Sequence, residues 1–405
     1  VNILMIWEVH PSPYGGLQLA ALNMLKHLSK RHTIRLIYLD TKSEAATDYP
    51  DLEPYCSHID SVAREDMSHG RQVLSVARDS LSARKLLSEY RWFFTPAYSP
   101  LMAELVHEAL RRDKYDVIYA SNQVAFYAWP FSTPKVVHAF DCVSVACYKQ
   151  WREAQRASAK AYWFLAYLAN TWTERKILQS FDDCMVVSDE EYAAFKALFP
   201  NVKCSVIPLG VDTEFFKPST LSEEWPSLVF AGDMSYGPNV KAIQYFHSQI
   251  YPPLKERFAG LKLFVVGKRP AEAVRSLDSD PSIIVTGFVD DVRPYLARAS
   301  VVIAPFISGS GTKTKVLEAM AMGKPVVTSS IGVRGINAIH GDTVYVADSP
   351  AAFTDHIQEL LDDDAKRKRM GDRAREFVEK CHSWNRVAEE VDHIFQRAQT
   401  GDCHA

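Results

Sequence analysis

The sequence has few cysteines, no long apolar run and no dominant charge, and each lack narrows what the chain can be. Its seven cysteines are odd in number and contain no C-x-x-C pair. That spacing argues against a disulfide framework or a zinc ribbon, so the thiols are expected reduced, as in a cytosol. No stretch approaches the ~18 to 20 uninterrupted apolar residues of a membrane-crossing helix. Peripheral contact is the one form of membrane association left open. Forty-six Lys and Arg stand against 49 Asp and Glu, a formal net charge of −3, so the broad basic footprint of a nucleic-acid binder is missing. The opening VNILMIW is too short for a signal peptide, lacks its charged flank and reads as a first strand. Internal repeats and low-complexity tracts are also missing.

What is present is ordinary globular material, 47% hydrophobic and 23% charged over 405 residues. At roughly 100 to 200 residues per domain this implies two domains. Short β-branched runs alternate with helical patterns from end to end. The first half offers strands at 2–7, 33–39, 116–120, 135–139, 183–187 and 205–208, with helical patterns at 18–30 and 101–112. The second begins afresh with strands at 227–231, 261–266, 282–286, 301–304, 325–328 and 343–346. Buried parallel strands joined by helical crossovers give this rhythm, which predicts two doubly wound α/β domains. The prolines and charges of IPLGVDTEFFKPSTLSEEWP, 207–226, mark the join. We place domains at 1–208, 209–382 and a C-terminal helix at 383–405. In that helix Trp384, Val387, Val391, Ile394 and Phe395 recur at helical spacing and must pack, within the second domain or back on the first. LDDDAKRKRM, 361–370, reads as the solvated end of a helix.

Two phosphate motifs are nearly present and fail. In SGSGTKTKVLEAMAMGKPVV, 308–327, Thr312 separates Gly311 from Lys313, so the P-loop order is broken. After the first strand only Gly15-Gly16 stands where a dinucleotide fingerprint needs G-x-G-x-x-G. The physics behind both motifs survives: strand 301–304 ends in a loop of Ser310, Gly311 and Thr312 that opens a helix near Thr314. A helix start directs unpaired N–H groups and partial positive charge outward at the carboxyl edge of the sheet. Lys313 and Lys315 add full charges, and a diphosphate fits; an ordinary capped turn with two solvated lysines is the alternative. Glu318 lies one turn further among Val316, Leu317, Ala319 and Met320. A carboxylate in such company is costly unless it accepts good hydrogen bonds, and the vicinal diol of a ribose supplies two donors. Its alternative is a bond to its own loop.

The segments PYGGLQLAALNMLKHLSKRHTIRLI, VIPLGVDTEFF, LVFAGDMSYGPNVKAIQYF, IIVTGFVDDVRPYLARASVVIAPF, GSGTKTKVLEAMAMGKPVV and CHSW together resemble landmarks of glycosyltransferase family 4. Within it, AGDMSYGPN and DVRPYL are most similar to bacterial exopolysaccharide-associated sugar transferases. The resemblance spans most of 1–395 and is weak from about 42 to 113. It implies the GT-B fold, in which two Rossmann-like domains face one another and a C-terminal helix crosses back. It also implies transfer from a nucleoside-diphosphate sugar, UDP- or GDP-linked, with retention.

Carried over by position, Glu318 binds the ribose, Gly15-Gly16 approach the diphosphate and sugar, and Phe288 to Asp290 lie beside the base. Ser310 stands where the family has a glutamate, and Asp233 follows Gly232 where it has an arginine. Lys313 and Lys315, or Lys268 and Arg269, are the candidates to supply that positive charge. The strand 135–139 runs into HAFDCVS, where the family places a histidine near the donor sugar; His138 and Asp141 are the two anchors for this catalytic place. Read alone, His138 is equally a core histidine, and Cys142 and Cys147 are small apolar residues.

No cofactor and no metal are expected, since the D-x-D element of metal-dependent transferases has no convincing loop; Asp362 to Asp364 sit at a charged helix end. The expected partners are the nucleotide sugar and a glycan, lipid-linked or small-molecule acceptor, with no nucleic acid. The expected location is the cytoplasm, with the inner membrane face open. A sugar-nucleotide epimerase or hydrolase, or a catalytically silent partner protein, would keep the same fold.

Overall fold

The computed structural model describes residues 1–13, 15–40, 50–63, 99–140, 142–309 and 311–401. The chain forms two compact units, Val1–Ile207 with the stretch from Ala388 onward, and Pro208–Val387.

Unit 1 holds a seven-stranded sheet. Its strands are β1 (Asn2–Trp7), β2 (Thr33–Asp40), β3 (His58–Ala63), β4 (Val117–Ser121), β5 (Lys135–Ala139), β6 (Asp183–Val186) and β7 (Cys204–Val206). They lie in the order β3-β2-β1-β4-β5-β6-β7, and every pairing is parallel. The central strands are buried on both faces, which is why β1 reads NILMIW without polar alternation. Trp7, Tyr38 and Tyr119 are enclosed between the sheet and its helices.

β3 is absent from the sequence reading. It is an edge strand with only Val62 buried, so HIDSVA carries neither an apolar run nor a clean alternation for a pattern search to find.

Unit 2 holds six parallel strands, β8 (Ser227–Ala231), β9 (Lys262–Val266), β10 (Ile283–Gly287), β11 (Val301–Ala304), β12 (Val326–Thr328) and β13 (Tyr345–Val346). Their order is β10-β9-β8-β11-β12-β13. Both sheets are therefore Rossmann-like, and in each the strand order reverses beside the first strand, where sheets of this kind open a crevice at their carboxyl ends. The reversal lies between β1 and β4 in unit 1 and between β8 and β11 in unit 2.

The 361–370 run proves to be a junction between helices rather than one helix end. Helix Pro350–Asp362 stops, and Asp363 caps helix Asp364–Cys381 by accepting from the Lys366 amide at 2.9 Å. The last helix, Trp384–Thr400, begins in unit 2, where Trp384 lies against Gly210. From Ala388 on it belongs to unit 1: Phe395 meets Tyr119 edge-on with ring centroids 5.4 Å apart, and Asp392 pairs with His32 at 2.6 Å.

Candidate active site

The carboxyl ends of β8 and β11 bring most of the expected donor residues together. β8 runs into Gly232, whose φ of 156° and close neighbours disfavour a side chain. A Cβ there would lie 2.4 Å from Lys315 Nζ and 2.8 Å from Asn239 Nδ2. At Gly267, after β9, a Cβ would lie 1.6 Å from the Gly232 carbonyl oxygen. Two bare backbones thus pass each other where the sheet ends, and the lysine comes in against the first.

β11 runs through Phe306 into the loop that opens helix Thr314–Ala321, and the N-cap residue, Lys313, offers no capping side chain. The first N–H groups of that helix lack intrahelical partners. Thr312 Oγ1 is buried and finds no hydrogen-bond partner among the described residues. Gly311 takes φ 71°, a conformation suited to glycine.

Lys315 donates to Asn239 Oδ1 at 2.8 Å and lies 5.3 Å from the Phe306 ring and 5.5 Å from the Phe230 ring. Asn239, buried, donates in turn to the Asp233 carbonyl at 2.8 Å. Burial pulls the Lys315 ammonium down to about 8, with the Glu318 carboxylate opposing and Lys313 adding to the fall. Lys313 donates to the Gly311 carbonyl at 2.9 Å, and burial, then Arg334, lowers its pKa as well.

Glu318 is half-buried between Leu317 and Ala319, both fully enclosed. Burial raises its carboxyl to about 6 against the pull of Lys315. No described residue donates a hydrogen bond to it. The arrangement is two cations and a bare helix start on one side, and an acceptor-only carboxylate one turn along.

The other candidates of unit 2 lie on neighbouring loops or are otherwise engaged. Arg269, at φ 52°, is paired with Asp233. Burial raises the Asp233 carboxyl, but the bonds from Arg269 and Ser235 outweigh it and leave it at about 2. Lys268 is exposed, and Phe288, after β10, is 68% exposed. Ser310 and Asp141 lie outside the described residues.

In unit 1, Gly15 at φ 97° precedes helix Gly16–Leu28, whose N-terminus also has no capping side chain. A side chain at Gly16 would meet nothing within 4 Å. His138 is 1% exposed. Its Nδ1 is 2.8 Å from the Tyr119 hydroxyl, its ring stacks on Phe140 at 3.9 Å, and its Nε2 has no partner among the described residues. Burial drives it down to about 3, so the ring is neutral at physiological pH.

Sequence reasoning assigned nothing to Asn239, which orients Lys315, or to two buried carboxylates of unit 1. Glu8 accepts from the Ser121 hydroxyl at 3.1 Å and the Gln123 amide at 2.9 Å at the strand reversal. Glu174 accepts from the Val143 and Ser144 amides, both at 3.0 Å, and so closes the N-terminus of helix Val143–Glu153. The available signal was an acidic or amide residue inside an apolar pattern, as at Glu318. Among the described residues no group of three ligating side chains could hold a metal ion, and no helix is long and apolar enough to cross a membrane.

Residues 14–215 match the family model for glycosyltransferase family 4, and residues 225–363 match that for group 1 glycosyl transferases. The chain belongs to glycosyltransferase family 4. It is a glycosyltransferase enzyme with the GT-B fold. Among its relatives in sequence, an uncharacterised 44.6 kDa protein in the cps region of Klebsiella pneumoniae is 22% identical over 93% of this chain and 95% of its own. Phosphatidyl-myo-inositol mannosyltransferase of Mycobacterium leprae is 30% identical over 37% of this chain and 41% of its own. In structure, the sucrose-phosphate synthase of Thermosynechococcus elongatus superposes with a TM-score of 0.70 at 17% identity, covering 99% of this chain and 100% of that one. Anabaena HepE, solved in complex with UDP, gives 0.66 at 16% identity over 98% and 100%. These similarities in structure establish the fold that family 4 membership implies.

Proposed function

We propose that the enzyme moves a glycosyl group from a nucleoside-diphosphate sugar to a hydroxyl acceptor, with retention at the anomeric carbon. The observation that carries this is the Glu318 carboxylate: half-buried, ionisable near neutrality and without a described donor, one turn from an uncapped helix start flanked by Lys313 and Lys315. A ribose diol supplies the two donors the carboxylate lacks, and the diphosphate beside it meets the positive helix end.

In the transfer, the bond from the anomeric carbon to the leaving phosphate oxygen breaks, and negative charge collects on the diphosphate. Lys315 and the helix amides stabilise that charge most where it is greatest, in the transition state. The acceptor oxygen bonds to the anomeric carbon on the same face and passes its proton to the departing phosphate oxygen, so no side-chain nucleophile is required. UDP is the first donor base to test, since structures of the GT-B relative HepE hold UDP and UDP-glucose. The six described cysteines are unpaired, which supports work in the cytoplasm.

The test is thermal unfolding with UDP. At one hundred times its Kd, UDP should add ~2.7 kcal/mol. Glu318→Ala should then weaken UDP binding by about one to two decades, from ~1.5 to 3 kcal/mol of charge-assisted bonding, and the loss should shrink with 2′-deoxy-UDP. A melting curve indifferent to UDP, GDP and ADP, or equal losses for ribose and deoxyribose ligands, removes this reading.

A further inference from the structure

The two helices that follow β5 carry a surface that includes none of the donor-site candidates. Helix Val143–Glu153 packs along helix Ala157–Leu178, and the aromatic rings of the pair interlock: Trp151 lies 5.0 Å from Phe164 and Tyr148 lies 5.5 Å from Tyr167. The longer helix is apolar on more than one side. Ala166, Asn170 and Ile177 are buried, while Leu165, Leu168 and Trp172 are 61%, 48% and 47% exposed. Positions 165, 168 and 172 form one stripe along the helix, with exposed Tyr162 and Phe164 beside it. A contiguous apolar patch of this kind marks contact with another apolar phase, and at 22 residues the helix offers about 33 Å of edge.

The rim of the patch is basic. Lys149, Arg152, Arg156, Lys160 and Lys176 are exposed, with Glu153 the exposed acidic residue among them, in a chain whose formal charge is −3. Lys176 Nζ sits 4.1 Å over the Trp172 ring, so the stripe ends in a cation held on an indole.

We propose that this two-helix surface docks on an anionic lipid bilayer, its leucines and aromatic rings entering the headgroup boundary while the basic rim meets the lipid phosphates. Leucine supplies apolar depth, tryptophan and tyrosine match the mixed polarity of the boundary, and lysine and arginine gain from the negative surface potential. A second copy of the chain fits less well, because a symmetric pairing would set the basic rim against itself. The inference rests on this surface alone, and its test reads membrane binding rather than transfer, so it stands or falls separately from the donor site.

The test is flotation of the full chain with vesicles of phosphatidylglycerol and phosphatidylcholine in equal parts, and with phosphatidylcholine alone. The chain should float with the anionic vesicles, and salt should weaken this. Leu165→Ser with Leu168→Ser should weaken binding at least tenfold, and each of Lys149→Gln and Arg152→Gln about fivefold. UDP binding and the melting temperature of these variants should not change, because the altered side chains are exposed. No flotation at low salt would overturn the proposal, as would flotation that survives the leucine pair unchanged. So would a concentration-dependent dimer that the leucine pair abolishes in a chain that ignores vesicles.

Discussion

Replacing Lys315 by methionine should stabilise the fold and weaken donor binding at the same time, two effects of opposite sign from one side chain. Its ammonium is held down from 10.5 to about 8, chiefly by burial. At ~1.36 kcal/mol for each decade of proton affinity, that is about 3 kcal/mol against the charged form in the fold. The side chain is half-buried rather than sealed, which trims the figure. Methionine also gives up the bond to Asn239, ~1 kcal/mol, and part of the attraction to two aromatic rings, ~0.5 to 1 kcal/mol. The net expectation is a variant about 1 kcal/mol more stable at pH 7, or some 2 to 4 °C in Tm for a unit of this size.

The pH dependence gives a second check. A lysine whose pKa is lower folded than unfolded costs stability in full below about 8, and the cost fades as pH rises from there toward 10.5. The advantage of the variant should therefore narrow above pH 8. Donor binding moves the other way: losing a charge-assisted bond to the diphosphate should cost ~1.5 to 3 kcal/mol, about one to two decades in Kd. In the wild type, affinity for UDP should also fall above pH 8 as Lys315 loses its proton, with no such fall in the variant. Calorimetric titration with UDP and thermal melts across pH measure both. A less stable variant that binds UDP as tightly as the wild type would refute the reasoning and make Lys315 a structural residue.

Gly267→Ala should destabilise unit 2 by more than ~3 kcal/mol in denaturant titration, because its Cβ would lie 1.6 Å from the Gly232 carbonyl oxygen and the strand ends must part; a loss under ~1 kcal/mol would show that they part easily. Lys268→Ala with Arg269→Ala should leave UDP affinity within about twofold, since Lys268 is exposed and Arg269 is already paired with Asp233. A tenfold loss would move the source of positive charge from the helix start to the loop after β9.

The sheets were legible because parallel strands buried on both faces have to be written as apolar runs, and β1 and β11 have little alternative composition. Edge strand β3 was not, since one buried side chain in six leaves no period to read. Within the site, Glu318 announced itself by being charged among Leu317, Ala319 and Met320, and Lys315 by its place at a helix start. What could not be read was which side chain holds that lysine: Asn239 comes from a different helix, and Phe230 and Phe306 from two strand ends, so their meeting depends on the sheet order. His138 illustrates the converse. Its position after an apolar strand fitted both a functional and a core role, and only the ring of Phe140 stacked on it shows how completely it is enclosed.

The division of the last helix also orders events at the ribosome. Unit 1 is discontinuous in the chain: Phe395, which lies against Tyr119, and Arg397, which reaches Asp183, are made only after all of Pro208–Val387. At ~5 to 20 residues per second, the nascent unit waits roughly 10 to 40 s for its final apolar face. Throughout that interval the surface destined for Val391, Ile394 and Phe395 is open, so the newborn chain must either be shielded there or tolerate the exposure until its last helix emerges.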